Sequence, residues 1–129
     1  ARIHTTSSGQ GHETLVSTVL GEVMQIDPEL IRITRPNSLE SLPGNSPVGS
    51  RMAIMLGGAA ARAGEKLKAK IMAIAAHRLG VAIDQLRYEG GDVLAHDGRC
   101  LGWDEMVELA HRQYHNLLAL DRRSFKFLV

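Results

Sequence analysis

Gly9-Gln10-Gly11-His12-Glu13-Thr14 places two glycines around a glutamine, and a helical pattern follows at once. Glycine lets the backbone turn sharply and approach a ligand closely. The first turn of a helix presents N–H groups without intrahelical partners and a partial positive charge. We therefore predict an anion site at Ser8–Gly11, the first loop, of the kind that binds phosphate or pyrophosphate. The Gln10 amide can both donate and accept hydrogen bonds, as recognition of a heterocycle requires.

A second glycine-bearing loop also leads into a helix. It runs over Gly44-Asn45-Ser46-Pro47-Val48-Gly49-Ser50-Arg51 and precedes a long apolar pattern. We call its last three residues, Gly49-Ser50-Arg51, the second loop. Two such loops in a short chain indicate a ligand with two polar ends, such as a nucleotide-like cofactor. Simpler interpretations remain open: each loop can be a plain turn that caps a helix, with Ser50 as the cap. Arg51 is then either a phosphate clamp or a surface charge.

Apolar spacing and turn residues predict an α+β fold in the order β-α-β-α-β-β-α. We expect a small mixed sheet packed by two or three helices, and one domain over residues 1–129. The Gly57-Gly58 pair within the long helix is expected where another backbone packs close. The predicted elements are strands over 2–7 and 30–35, helices over 15–24 and 50–79, a hairpin over 86–95 turning at 90–91, and a helix from 103 to about 118.

Composition excludes several classes of function. The 129 residues carry a net charge of +1 without a basic stripe, which argues against a nucleic-acid partner. No apolar run reaches membrane-spanning length. The single cysteine, Cys100, excludes an internal disulfide; we expect a buried or inert thiol and a reducing, cytoplasmic setting. Both ends look cut, so the chain is expected to be a piece of a larger protein.

The histidines allow a metal interpretation that the spacing does not favour. His111 and His115 lie four residues apart on the last helix, with Glu108 on the same side. Zinc needs a third and usually a fourth ligand, so a solvated helix face is the preferred interpretation. His12 lies at a helix N-terminus, where a cation is disfavoured, and it is expected to be neutral and to hydrogen-bond the loop.

The two loops and the helices behind them resemble the molybdenum-cofactor-binding subunit of the xanthine dehydrogenase, aldehyde oxidase and carbon monoxide dehydrogenase family. Residues 9–14 look like that family's bacterial Gly-Gln-Gly-His-Glu-Thr signature, and Gly49-Ser50-Arg51 looks like its Gly-Ser-Arg signature. The small-residue helix after Arg51 and the hairpin and helix through Ala110 follow the same pattern. The resemblance covers nearly all of the chain.

The resemblance implies a binding segment for a molybdenum–pterin cofactor, molybdopterin or its cytosine dinucleotide, in an oxidoreductase that hydroxylates an aldehyde or N-heterocycle with water-derived oxygen. Gly9 and Gln10 would contact the pterin, with Gln10 near the oxo face of the metal, and Ser50 and Arg51 would hold the phosphate or nucleotide portion. The implied set of cofactor-binding residues is Ser8, Gly9, Gln10, Gly11, Gly49, Ser50 and Arg51.

The family's catalytic glutamate lies beyond this chain, so the resemblance implies no catalytic residue here and an inactive isolated fragment. Implied partners are the rest of the molybdenum subunit and iron–sulfur and flavin (FAD) subunits or domains, in an oligomer that is cytoplasmic, or periplasmic through a partner. A non-catalytic scaffold or assembly module that keeps the fold without the cofactor is the alternative function. An unrelated phosphate-binding α+β domain is a third.

Overall fold

The computed structural model describes residues 1–5, 7–34, 37, 39 and 47–112, with the Arg112 side chain excepted. The chain divides into two compact units, Ala1–Leu67 and Lys68–Val129. The described parts hold three α-helices and a three-stranded antiparallel sheet, which confirms the α+β class. The single-domain prediction stays a prediction.

Helix α1 (His12–Met24) begins directly after the first loop. Its apolar positions recur three and four residues apart, so that Val16 is buried on one side. Gln25 ends the helix in the left-handed region (φ +52°). The predicted break at Asp27-Pro28 is a short 3₁₀ turn over Pro28–Leu30, in which the Asp27 carboxylate accepts a hydrogen bond from the Glu29 N–H at 2.9 Å.

The two strands predicted around α1 are reduced to a single bridge in the described residues. Arg2 and Thr34 form an isolated parallel bridge, and the Thr34 N–H donates to the Ala1 carbonyl at 2.8 Å. A parallel pair joined through a helix is the expected crossover connection, although one bridge makes no sheet. Thr6, Arg35 and Pro36 lie outside the described residues. The predicted mixed sheet is therefore wrong in one respect: the described sheet itself is entirely antiparallel.

Helix α2 (Met52–Leu79) is the longest element, and Gly80 (φ +66°) ends it as predicted. Its tightest contact with α1 lies at Gly64, where an added Cβ would come within 2.9 Å of Val23 Cγ1. At Gly57 the nearest atom, Leu15 Cδ1, would be 3.8 Å away. The prediction of a close approach at the Gly57-Gly58 pair is therefore wrong: the tight contact lies nearly two turns further along, at Gly64, and it is made by side chains.

These two contacts fix the relative direction of α1 and α2 within the first unit. Leu15 near the start of α1 meets Gly57 near the start of α2, and Val23 near the end of α1 meets Gly64 further along α2. The helices therefore run in the same direction. Their N-termini therefore lie toward the same end of the unit. The core beside them contains Ile3, Val16 and Ala60, packed by Val19, Leu20, Ile33 and Leu56.

The second unit is built on a hairpin that the sequence predicts correctly. Strands β1 (Leu86–Glu89) and β2 (Asp92–Ala95) pair antiparallel, with Glu89 opposite Asp92. Gly90 and Gly91 both have positive φ (+59° and +98°), which a two-residue hairpin turn requires. A third strand, β3 (Cys100–Leu101), pairs with β2 and is absent from the prediction because two residues give no periodicity.

Helix α3 (Trp103–Arg112) follows β3, and its Trp103 N–H donates to the Asp92 carboxylate at 3.0 Å. The predicted continuation toward Leu118 lies outside the described residues. Elsewhere in this unit Lys68 Nζ lies 4.6 Å from the centroid of the buried Tyr88 ring. Burial, and then the charge of Asp92, raise the pKa of the Tyr88 hydroxyl.

Candidate functional site

The first loop is exposed and has a left-handed backbone on both sides of Gln10. Gly9 has φ +97° and Gly11 has φ +70°, and an added Cβ at either position would meet no atom within 4 Å. Gly11 is the N-cap residue of α1, with no side-chain hydrogen bond at the cap. The glycines thus give the turn its shape and leave open space beside the first N–H groups of the helix.

Three hydrogen bonds within the chain hold the first loop. The Gln10 N–H donates to Ser7 Oγ at 3.1 Å, and the Ser8 N–H donates to Gln10 Oε1. Ser7 Oγ in turn lies 3.4 Å from Gln10 Oε1, to which its hydroxyl donates. Ser7 is not in the set predicted from sequence. The signal that could have found it is a serine three residues before Gln10, since serine hydroxyls bond nearby backbone groups in turns.

The second loop also has an exposed, left-handed backbone, and one of its left-handed residues is not a glycine. Gly49 (φ +66°) and Ser50 (φ +51°) are both left-handed and exposed. The Met55 N–H donates to the Arg51 carbonyl at 2.9 Å, so Arg51 occupies the N-cap position of α2. The interpretation of Ser50 as the cap is wrong, because Ser50 lies one residue before it. Arg51 is half-buried at that helix end.

The structure brings the two predicted loops to one end of the first unit. Each loop leads directly into a helix, and α1 and α2 run in the same direction, so both positive helix ends lie on the same side. Two parallel N-termini reinforce each other toward an anion in a way that antiparallel helices cannot. All seven residues predicted from sequence, Ser8–Gly11 and Gly49–Arg51, lie at this end.

His12 is the buried polar residue of the site. Its side chain is 4% exposed, and its Nδ1 atom is buried with no hydrogen-bond partner in the described part of the chain. The expectation that His12 bonds the loop is therefore not met by any described residue. An unsatisfied buried polar group costs about 1–3 kcal/mol and most buried polar groups are hydrogen-bonded, so His12 Nδ1 is a candidate contact for a ligand.

The other candidates from sequence do not form sites in the described residues. No group of three or more His, Cys, Asp and Glu side chains there is placed to hold a metal ion, and His115 lies outside the description. Cys100 is exposed rather than buried, because Leu101 is the inward residue of the two-residue strand β3. Among the described helices none is both long and apolar enough to cross a membrane.

A cavity of about 380 Å³ also lies in the first unit. Its lining is mostly apolar and comes from residues 1–5, α1 and α2; none of the seven predicted residues takes part. A ligand with phosphate or heterocyclic groups needs convergent polar partners, and the polar residues of this lining, Arg2, His4 and Thr5, belong to the N-terminal segment alone. The loop end is therefore the candidate site.

Comparison with known proteins identifies the family and assigns no residue of the site. The family model of the molybdopterin cofactor-binding domain matches residues 1–126. The chain belongs to this family. The predicted resemblance is thereby confirmed, and the cofactor of the family is the molybdenum–pterin cofactor expected from the sequence.

Two curated relatives are each named as the large subunit or large chain of an enzyme. The chain is 33% identical to the nicotine 6-hydroxylase large subunit of Paenarthrobacter nicotinovorans over 85 residues, covering 66% of this chain and 10% of that protein. It is 31% identical to the carbon monoxide dehydrogenase large chain of Hydrogenophaga pseudoflava over 115 residues, covering 89% and 14%. The chain thus spans about a tenth to a seventh of the length of these curated relatives.

A solved structure shares the fold. Reconstituted CO dehydrogenase from Oligotropha carboxidovorans superposes with a TM-score of 0.75 at 30% identity, over 84% of this chain and 14% of that one. The residues at the loop end fit a molybdopterin group chemically. They offer helix N–H groups, an amide, a guanidinium and a buried imidazole without a described partner, which suits a ligand with phosphate and pterin heteroatoms.

Proposed function

We propose that this chain is the part of a molybdenum hydroxylase large subunit that holds the molybdenum–pterin cofactor at the loop end. The observation that carries the proposal is the shared direction of α1 and α2, which directs two left-handed glycine loops and two helix N-termini toward the same end of the first unit. The family match supports the cofactor class but assigns no residue.

The chain's own residues have separable tasks in this proposal. Gly9, Gly11 and Gly49 lack side chains where the ligand approaches, so that backbone N–H groups can reach it. The two helix ends and Arg51 attract its anionic oxygens, and a charge-assisted bond from arginine is stronger than a neutral one. Gln10 contacts the heterocycle or the metal-bound end.

When bound, the cofactor supplies the redox chemistry by which water-derived oxygen reaches an aldehyde or N-heterocyclic substrate. This chain positions the cofactor and excludes side chains from its approach. We further propose that catalytic groups, iron–sulfur clusters and FAD belong to other segments or subunits, that the whole protein is an oligomer in the cytoplasm, and that the isolated chain has no turnover.

The test is cofactor retention in the full-length protein that carries this sequence, produced in a host that makes the cofactor. Arg51→Ala is expected to lower molybdenum and pterin content, since loss of a bond worth about 1.5–3 kcal/mol weakens affinity by about tenfold or more. The matched control is Arg62→Ala, an exposed arginine on the same helix, which should retain the cofactor.

Two outcomes contradict the proposal. If Arg51→Ala and Arg62→Ala both keep wild-type molybdenum and pterin content, the second loop is a structural turn. If the unaltered protein contains neither molybdenum nor pterin under these conditions, the scaffold alternative is favoured instead.

A further inference from the structure

The Ser7 hydroxyl lies between the backbone and the side chain of Gln10. It accepts from the Gln10 N–H at 3.1 Å and donates to Gln10 Oε1 at 3.4 Å, and Ser7 itself is half-buried. The Ser8 N–H donates to the same carbonyl oxygen. The side-chain carbonyl of Gln10 is therefore committed to its own loop.

These bonds decide which end of the amide is left for a ligand. A backbone N–H can only donate, so the atom of Gln10 that it meets must be the acceptor Oε1 and not the NH₂ group. In the described chain nothing accepts from Nε2. The Gln10 side chain therefore leaves its NH₂ donor for a ligand, beside the N–H groups of the first turn of α1.

We propose that Ser7 is a positioning residue that, together with the Ser8 N–H, holds Gln10 as a hydrogen-bond donor, and that the ligand atom opposite Gln10 is an unprotonated acceptor oxygen or ring nitrogen. The inference rests on the proposed function and narrows it. A glutamine whose amide is free to flip can accept from an N–H of a heterocycle, whereas one held by the Ser7 hydroxyl and the Ser8 N–H presents only its NH₂ donor. The two bonds thus select one hydrogen-bonding pattern in the ligand.

The direct test changes the amide end without changing its shape. Gln10→Glu keeps an oxygen for the Ser7 and Ser8 bonds and replaces the NH₂ by a second, anionic acceptor. We expect more than about tenfold weaker cofactor retention in the full-length protein, because an acceptor then faces an acceptor. Gln10→Glu with wild-type molybdenum and pterin content would overturn the proposal.

The role of Ser7 is tested by rescue and by coupling. Ser7→Ala is expected to lower cofactor retention by about fivefold, from one lost hydrogen bond, and Ser7→Thr should restore it because it keeps a hydroxyl. In a Gln10→Ala background, Ser7→Ala should have little further effect. A Ser7 that only stabilises the fold would give the same loss in both backgrounds, which would contradict positioning through Gln10.

A matched control separates positioning from general stability. Ser17→Ala removes a serine hydroxyl that bonds only the Thr14 carbonyl within α1, at 3.2 Å, and it should retain the cofactor. The thermal midpoint of each variant's cofactor-free form shows whether it folds. Loss of cofactor in Arg51→Ala together with full retention in Ser7→Ala and Gln10→Glu would refute this inference while leaving the proposed function intact.

Discussion

The first loop and the turn between β2 and β3 each contain a glycine with positive φ, but the two turns differ in how their polar groups are hydrogen-bonded. Gly9 has φ +97° and Gly98 has φ +88°, and an added Cβ at either would meet nothing within 4 Å. In the β2–β3 turn the polar groups satisfy one another. The Asp97 carboxylate accepts from the N–H and guanidinium of Arg99, and that guanidinium also donates to the Leu79 carbonyl at 2.8 Å.

In the first loop, the internal hydrogen bonds only fix the shape of the turn. Ser7 and Gln10 close the turn, but the amide NH₂ of Gln10 has no described acceptor and the His12 Nδ1 is buried without one. A left-handed glycine in open space therefore marks only a turn, whereas polar groups without described partners around such a glycine mark a candidate site. Arg99, by contrast, completes the C-terminal end of α2 with a positive charge, where the helix dipole favours it.

The largest effect is expected from Gly9→Ala compared with Gly98→Ala. Both variants place an L-residue at positive φ, so each should lower the free energy of unfolding by about 1–2 kcal/mol. Only Gly9→Ala also puts a methyl group where the ligand approaches. We expect more than about tenfold weaker cofactor retention for Gly9→Ala and no change for Gly98→Ala. Equal retention by the two variants would remove the distinction between the loops.

Gly→Ala substitutions within α2 test whether the open space beside a loop glycine, and not the mere loss of a glycine, determines cofactor retention. Gly64→Ala places a Cβ 2.9 Å from Val23 Cγ1. Such overpacking costs about 1–3 kcal/mol, of which the helix propensity of alanine returns about 1. We expect a fall in the unfolding free energy in urea, and no selective loss of cofactor beyond it.

Gly58→Ala is the matched control on the same helix. Its nearest atom is the flexible Arg62 guanidinium, 3.9 Å from the added Cβ, so it should raise the unfolding free energy by up to about 1 kcal/mol. A destabilised Gly58→Ala together with a neutral Gly64→Ala would show that the two helices do not pack as described.

A smaller effect is expected at Ser50, the non-glycine residue of the second loop. Ser50 (φ +51°) shares its left-handed backbone with Gln25 (φ +52°), which ends α1 away from the loops. Ser50→Gly and Gln25→Gly should each raise the unfolding free energy by up to about 1 kcal/mol by relieving this conformation. Only Ser50→Gly removes a hydroxyl from the candidate site, so it alone should weaken cofactor retention, by about threefold.

Much of the fold follows from local sequence, and its failures have a physical cause. The Gly90-Gly91 hairpin and the end of α2 at Gly80 are correct because they depend on glycine conformation alone. The parallel pairing of Arg2 with Thr34 depends on residues far apart in sequence, so local periodicity cannot say how far it extends. Strand β3 has only two residues, too few to show an alternating apolar pattern, and it forms because it pairs with the edge of β2.

The residues proposed for the candidate site come from the sequence, whereas their arrangement comes from the structure. The glycine signatures predicted both loops, but their shared direction depends on contacts such as Gly64 with Val23. The orientation of the Gln10 amide depends on the Ser8 N–H and on Ser7, which no glycine signature includes. The exposed position of Cys100 was missed because a lone cysteine gives no information about which face of a strand it occupies.

The smallest effect is expected at the closed turn, and it depends on pH. Hydrogen bonds from Arg99 hold the pKa of the Asp97 carboxyl below its ordinary value of 3.8. A lowered folded-state pKa means that the pair stabilises the fold above the unfolded-state pKa, and that this stability is lost as pH falls through the folded-state pKa. Because both side chains are about half exposed, solvent screens the pair and the contribution is small.

We expect Asp97→Asn to lower the thermal midpoint slightly at pH 7 and to match the unaltered chain at acid pH, as followed by circular dichroism, with cofactor retention unchanged. A midpoint difference that persists unchanged into acid would mean that the carboxylate charge does not close the turn, and the contrast with the first loop would then rest on the glycines alone.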